Sequence, residues 1–251
     1  MRSESFKDHF SQAALFYQSM SDIEKDHIAA AYQFELGKVT KPEIRARVVN
    51  EILAKFDTGL AKTVATGLGL PAPTIAAAKP AKPGASPALS LLNHVVPGIK
   101  TRKIAVVAAP GADEASIDAL FVALKAEGAT PLLIAPTLAA IGKHVPEATI
   151  EGMPSIMFDA VFVVDGKASA QALSTSGDAR HFVLEAFKHL KAIGALGAGI
   201  DVLTSAHLPP DADGVVVGES KEKAHVIKAF VEAAGQHRVW SRATLAATTP
   251  A

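Results

Sequence analysis

The sequence predicts an α/β protein, a doubly wound parallel sheet covered on both faces by helices and preceded by a small all-α segment. Three observations carry this. From Lys103 onward, short apolar runs alternate with amphipathic helical stretches, the pattern of strand–helix–strand units. Residues 1–70 instead carry helical periodicity framed by helix start and stop signals. The stretch Lys191–Leu203, KAIGALGAGIDVL, reads as strand, tight turn and helix, because Gly197 and Gly199 permit backbone angles that a side chain forbids.

Composition bounds what such a chain can do. With 251 residues and 49% hydrophobic side chains it can bury one large core or two small ones. Lys+Arg and Asp+Glu are both 25, so overall charge favours neither nucleic acid nor an anionic membrane. The absence of cysteine excludes disulfides, thiolate zinc sites and cysteine nucleophiles. No apolar run approaches the roughly 18 residues of a membrane span. The opening MRSESFKDHF lacks the apolar stretch of a secretory signal, which predicts a cytoplasmic location.

Taken in order, the elements begin with a capping box, Ser21-Asp22-Ile23-Glu24, in which hydroxyl and carboxylate satisfy free N–H groups. Ile28, Tyr32 and Leu36 form the apolar stripe behind it, and Gly37 stops the helix. Thr40-Lys41-Pro42-Glu43 starts a second helix with the stripe Ile44, Val48, Ile52 and Leu53, and a third covers Gly59–Gly67. Such a trio also suits a helix-turn-helix reading through Arg45, Arg47 and Asn50. The favoured reading is a solvated helix face on a segment too small to stand comfortably alone.

Residues 71–100 connect this segment to the α/β domain, residues 101–251. Pro71, Pro73, Pro80, Pro83 and Pro87 make the first part a semi-extended linker, and Ala88–Lys100 is expected to lie along a surface.

Strands are predicted at Ile104–Ala108, Pro131–Ala135, Phe158–Val164, Ala192–Leu196 and Gly214–Val217. Helices are predicted with inward faces Ile117, Leu120, Phe121 and Leu124, then Phe182, Val183, Ala186, Phe187 and Leu190, and finally Val226, Ile227, Phe230 and Val231. This order gives a flavodoxin-like domain.

Candidate site residues lie where strands end. The loop Ala109-Pro110-Gly111-Ala112-Asp113-Glu114 opens a helix but matches neither a dinucleotide fingerprint nor a Walker loop. Asp113 and Glu114 suit a helix N-terminus better than a phosphate site. Asp159, Asp165 and Asp201 stand near strand ends. In many α/β enzymes a turn such as Gly197-Ala198-Gly199 lifts a nucleophile above the sheet, but here nothing larger than methyl stands there. Ser205 and His207 follow without an evident partnership. His181 and His189 are too far apart on one helix to share an ion, and His9, His27, His225 and His237 are isolated, so no metal site is expected.

Two blocks resemble a known family. SFKDHFSQAALFYQSMSDIEKDHIAAAYQFELGKV and KPEIRARVVNEILAKFD resemble the helical tail of the catalase fold. SPALSLLN, KIAVVAAPGADEASIDALFVALKAEGATPLLIAP, FDAVFVVDG and HFVLEAFKHLKAIGALGAGIDVL resemble the linker and C-terminal domain of large-subunit catalases. The resemblance covers nearly the whole chain and implies a domain related to class I glutamine amidotransferases and intracellular peptidases.

Where those enzymes carry a cysteine, often followed by histidine, this chain has Gly197 and Ala198, which argues against peptidase, amidotransferase or deglycase chemistry. What remains is a vestigial pocket at Gly111, Asp113, Asp165 and Gly197. The catalase histidine, asparagine and haem-ligating tyrosine belong to sequence preceding the helical tail. The resemblance therefore implies haem for the parent protein, none for this chain, and no catalytic role for His9 or Tyr17.

The implied function is a non-catalytic accessory region that stabilises a homo-oligomer, shields the haem of a catalase core, or holds unfolded client proteins. No nucleic acid or membrane partner is expected. The alternatives are a small-molecule-binding or hydrolase-like domain using the pocket near Gly111, Asp165 and Gly197, and catalase activity by the chain itself.

Overall fold

The structure, a computed structural model, describes residues 3–74, 84–94 and 96–249. The chain divides into two compact units, Met1–Val95 and Val96–Ala251.

In the first unit a 3-10 turn, Glu4–Lys7, leads to α1 (Ser11–Ser19), which sequence periodicity did not single out. In α2 (Asp22–Gly37) the capping box forms as expected. Ser21 Oγ accepts the Glu24 N–H at 3.3 Å, and the Glu24 carboxylate accepts the Ser21 N–H at 2.8 Å. α3 (Pro42–Arg47) begins on its proline.

The second predicted helix does not continue as an α-helix. Val48–Leu53 is a π-helix, followed by α4 (Ala54–Phe56). This corrects the predicted stripe: the wider turn brings Val49 and Leu53 inward and leaves Ile52 exposed. α5 (Thr58–Gly67) is capped by Asp57, whose carboxylate accepts the Leu60 N–H at 2.8 Å. Ala14, Leu36, Val49, Leu53, Phe56, Leu60 and Val64 form the core of this unit.

Part of the proline-rich linker, residues 75–83, lies outside the described residues. Beyond it Pro87–Leu89 and Leu91–Asn93 are 3-10 turns, and both belong to the helical unit.

The second unit opens with β1 (Lys103–Val107), α6 (Glu114–Ala126) and β2 (Thr130–Ala135). A two-residue strand, β3 (Ala148–Thr149), and β4 (Ala160–Val163) follow. Next come α7 (Lys167–Thr175), α8 (Gly177–Lys188), β5 (Ala192–Leu196) and α9 (Ile200–Ser205). The unit continues through β6 (Val215–Gly218), α10 (Lys223–Gly235) and α11 (Ala243–Ala247). The six strands run parallel in the order β3-β2-β1-β4-β5-β6. The edge strand β3, α7 and α11 are additions to the predicted set.

Alternation along the strands builds two cores. Ala105, Val107, Val161, Val163, Ile193 and Ala195 face α7, α8 and α9. Ile104, Val106, Ala160, Phe162 and Ala192 face α6 and α10 on the other side, where the Phe162 and Phe230 rings meet edge to face at 5.0 Å. Burial on both sides explains why these strands read as continuous apolar runs.

Buried Arg242 fastens the region after α10. Its guanidinium donates to the carbonyls of Phe187 at 3.1 Å, Lys191 at 2.7 Å and Asp213 at 2.9 Å, and stacks on the Phe187 ring at 4.1 Å.

Candidate functional site

The strand order reverses between β1 and β4, and the loops at the C-terminal ends of β1, β4 and β5 enclose a cleft of about 810 Å3. Asp113, Asp165, Gly166, Gly197 and Ala198 line it, with Lys167, Ser174, Asp201, Glu219 and Ser220 around them. Gly111 stands behind this lining, its hydrogen-side face against Ala168 of α7. The structure thus gathers Asp113, Asp165, Gly197 and Asp201 of the residues singled out in the sequence, with Gly111 behind them.

The loops after β1 and β4 pass each other closely. Asp113 N–H donates to the Asp165 carbonyl at 2.8 Å, and Ala109 N–H donates to Ser169 Oγ on α7, also at 2.8 Å. Gly166 sits at φ 133°, where a side-chain carbon would fall 2.5 Å from the Gly111 carbonyl oxygen. Only glycine fits there.

Asp165 fills the turn between β5 and α9. Its Oδ1 accepts the Gly166 N–H at 2.7 Å and the Ala198 N–H at 2.9 Å, and Ser220 Oγ donates to its Oδ2. In nucleophile elbows the N–H after the nucleophile helps to stabilise an oxyanion. Here that position is the Ala198 N–H, and a carboxylate already holds it. Gly197 has φ 54°, and a carbon added to it would lie 2.4 Å from the Asp165 carboxylate.

The Asp165 carboxyl is held below the usual aspartate range. Burial works the other way, but the hydrogen bonds from Ser220, Ala198 and Gly166 together outweigh it. Asp113 is held low by the Ser116 hydroxyl and by Lys223, whose Nζ lies 3.1 Å from its Oδ2, and its carboxylate caps α6 by accepting the Ser116 N–H at 3.1 Å. The Glu114 carboxylate accepts the Lys143 N–H at 2.9 Å. Both acids therefore serve the α6 terminus and its neighbours, as the sequence suggested.

Other candidates lie elsewhere. Asp159 precedes β4 and accepts the Lys103 N–H at 2.9 Å, at the N-terminal ends of the strands, which removes it from the cleft and corrects its grouping with Asp165. Ser205 donates to the Val202 carbonyl at 2.8 Å, and with His207 and His181 it lines a separate cavity of about 450 Å3. Among the described residues no group of three or more His, Asp or Glu side chains is placed to hold a metal ion.

Arg45 donates to the Val39 and Gly37 carbonyls at 2.7 and 3.1 Å, and Asn50 to the Ala46 carbonyl at 2.9 Å. Those side chains are spent on backbone rather than presented for base reading. No helix among the described residues is long and apolar enough to cross a membrane.

Sequence reasoning missed Ser220 and Lys223, although their position just after a short strand was a usable signal. It also missed Lys191, which is 2% exposed and donates to the Ser155 carbonyl at 2.7 Å. Burial, aided by Arg238, pushes the Lys191 amine down to about 8.

Residues 100–244 match the family described as the C-terminal domain found in long catalases, and residues 3–68 match a family described as catalase-related immune-responsive. Catalase HPII of Pseudomonas putida is 50% identical, with 100% of this chain and 35% of that protein aligned. Catalase-B of Dictyostelium discoideum is 40% identical over 100% of this chain and 37% of its own length. Catalase-2 of Bacillus subtilis is 37% identical over 96% of this chain and 35% of its own length. The chain thus spans about a third of the length of these curated relatives.

Proposed function

Because the chain belongs to the family of C-terminal domains found in long catalases, we propose that it is a non-catalytic accessory region whose helical unit docks on other protein. In a long catalase that protein is the remainder of the chain and its oligomer. Apart from it, the same surface holds unfolded clients.

The observation that carries this reading is apolar surface left outside a closed core. On the helical unit Phe6, Phe34 and Leu91 are 63%, 66% and 76% exposed, and Phe16 and Ile52 are exposed as well. Exposed apolar groups of this kind mark interaction surfaces when they are contiguous. The turn at Gly197-Ala198 supports the non-catalytic part, since it lacks a nucleophile and its N–H donor is engaged by Asp165.

The tyrosines of this chain do not suit the role of a haem ligand. Its two tyrosines, Tyr17 and Tyr32, pack against the helical core, and burial raises the Tyr17 phenol above its ordinary value. An iron-ligating tyrosine has to be favoured as the phenolate, the opposite condition. On this reading, peroxide chemistry in a long catalase is carried by residues outside this region. A cytoplasmic location is part of the same proposal.

The test is light scattering from a heat-labile protein with and without the chain, together with the chain's own mass by multi-angle scattering. Suppressed aggregation at substoichiometric amounts, by a defined oligomer, is the expected result. Unchanged aggregation would discard the client-holding role and leave only the role within a catalase.

A second reading, a small polar ligand in the 810 Å3 cleft, is favoured by the Ser174 hydroxyl, a buried oxygen without a hydrogen-bond partner at its wall. A rise in melting temperature with polyols or sugars would support it, because ligand bound only to the native state stabilises it.

A further inference from the structure

We infer that residues 84–93 form a strap latched onto the helical unit through Glu24, so that the stretch 71–93 belongs at both its ends to that unit and does not serve as a free linker to the α/β unit. The anchors run along the strap. Ser86 N–H donates to Ser19 Oγ at 2.8 Å, Ser90 Oγ to Glu24 Oε2 at 2.9 Å, and Leu91 N–H to Glu24 Oε1 at 3.1 Å. Asn93 Nδ2 donates to the Pro87 carbonyl at 2.9 Å and closes the two 3-10 turns on each other.

The other end is held as well. Leu70 N–H donates to the Ala65 carbonyl at 2.9 Å, just past α5. Both ends of the stretch 71–85 are therefore bound to the helical unit. The α/β unit takes its first anchor at Gly98, whose N–H donates to the Gly235 carbonyl at 3.3 Å.

Glu24 is the latch because of its burial. A capping-box glutamate needs only one oxygen for the N-cap and ordinarily leaves the other in water. Here Glu24 is 8% exposed and Ser90 3%, and the strap supplies the donors that the carboxylate gives up on leaving solvent. A buried carboxylate without them is costly, so its presence and the strap's position require each other.

The closing experiment uses the full chain with a protease recognition sequence inserted between Lys79 and Pro80. After cleavage the two pieces are expected to co-elute in gel filtration. Glu24→Gln combined with Ser90→Ala is expected to abolish co-elution. Ser90→Ala alone leaves the Ser21–Glu24 box in place and is expected to weaken it, so the test survives if the double variant fails to fold.

A second measurement lengthens the 75–83 stretch with Gly-Ser residues and follows energy transfer between dyes on cysteines introduced at exposed Thr66 and Glu127, in a chain with no cysteine of its own. Unchanged transfer is the expected outcome. Separation of the cleaved wild-type pieces, co-elution that persists in the folded double variant, or transfer that falls with linker length would each overturn the inference.

Discussion

At Gly197 the backbone is left-handed and the neighbouring space belongs to the Asp165 carboxylate. Gly197→Ala is therefore expected to destabilise the α/β unit by about 1–3 kcal/mol, read from urea unfolding. Unchanged stability would mean that the carboxylate moves aside without cost. Asp165 also sets a pH dependence. Its folded-state carboxyl is held below 3.8, so its contribution is complete above the unfolded value and is lost as pH falls through the folded one. The stability gap between wild type and Asp165→Ala should be flat near neutrality and close in acid. Lys191 has the reverse sense. Its folded value near 8 lies below the ordinary 10.5, so between them the unfolded chain binds the extra proton and stability rises with pH. Wild type should gain on Lys191→Met across that window, and a constant difference in unfolding free energy would refute the assignment. These residues were unequally legible. Asp165 and Gly197 announced themselves by standing at strand ends, whereas the hold of Asp165 on Ala198 and Ser220 joins positions far apart in sequence and no local pattern encodes it.

Elements whose signal is local were read correctly, and the exceptions have physical reasons. The strands β1, β2, β4, β5 and β6 lie within about two residues of their apolar runs, because a sheet covered on both faces leaves few polar positions past the first residue of each strand. α7 was missed because KASAQALST buries only Ser169, Ala170 and Leu173, too few apolar side chains to show a helical period. β3 is two residues long and is defined by its pairing with β2. The π-helix at Val48–Leu53 reflects packing rather than propensity, and the apolar stripe read at α-helical spacing placed Ile52 on the wrong side. α11 owes its place to Arg242, an arginine that answers three carbonyls and no carboxylate among its hydrogen-bond partners. Arg242→Met is expected to cost about 2–4 kcal/mol by removing the two buried hydrogen bonds to the Phe187 and Lys191 carbonyls and the bond to Asp213. Thermal unfolding measures the loss, and a cost below about 0.5 kcal/mol, the range of ordinary surface substitutions, would reduce the guanidinium to a bystander.

For the molecule as a whole, the helical core and the two cores flanking the sheet share no residue. Calorimetry should resolve two unfolding transitions, with the smaller one lost selectively on Leu53→Ala, which empties part of the helical core. A single transition that shifts as one would show the units to be thermodynamically coupled. The sheet order has a consequence in time. β1 is the first strand made, yet it lies in the interior of the sheet, and its second edge is covered only by β4, which begins at Ala160. At about 5–20 residues per second, a ribosome needs roughly 3–10 seconds to travel from β1 to β4. Throughout that interval the nascent chain carries a strand with apolar side chains from Ile104 to Val107 and an edge of unpaired backbone N–H and C=O groups, the kind of surface on which neighbouring polypeptides nucleate aggregation.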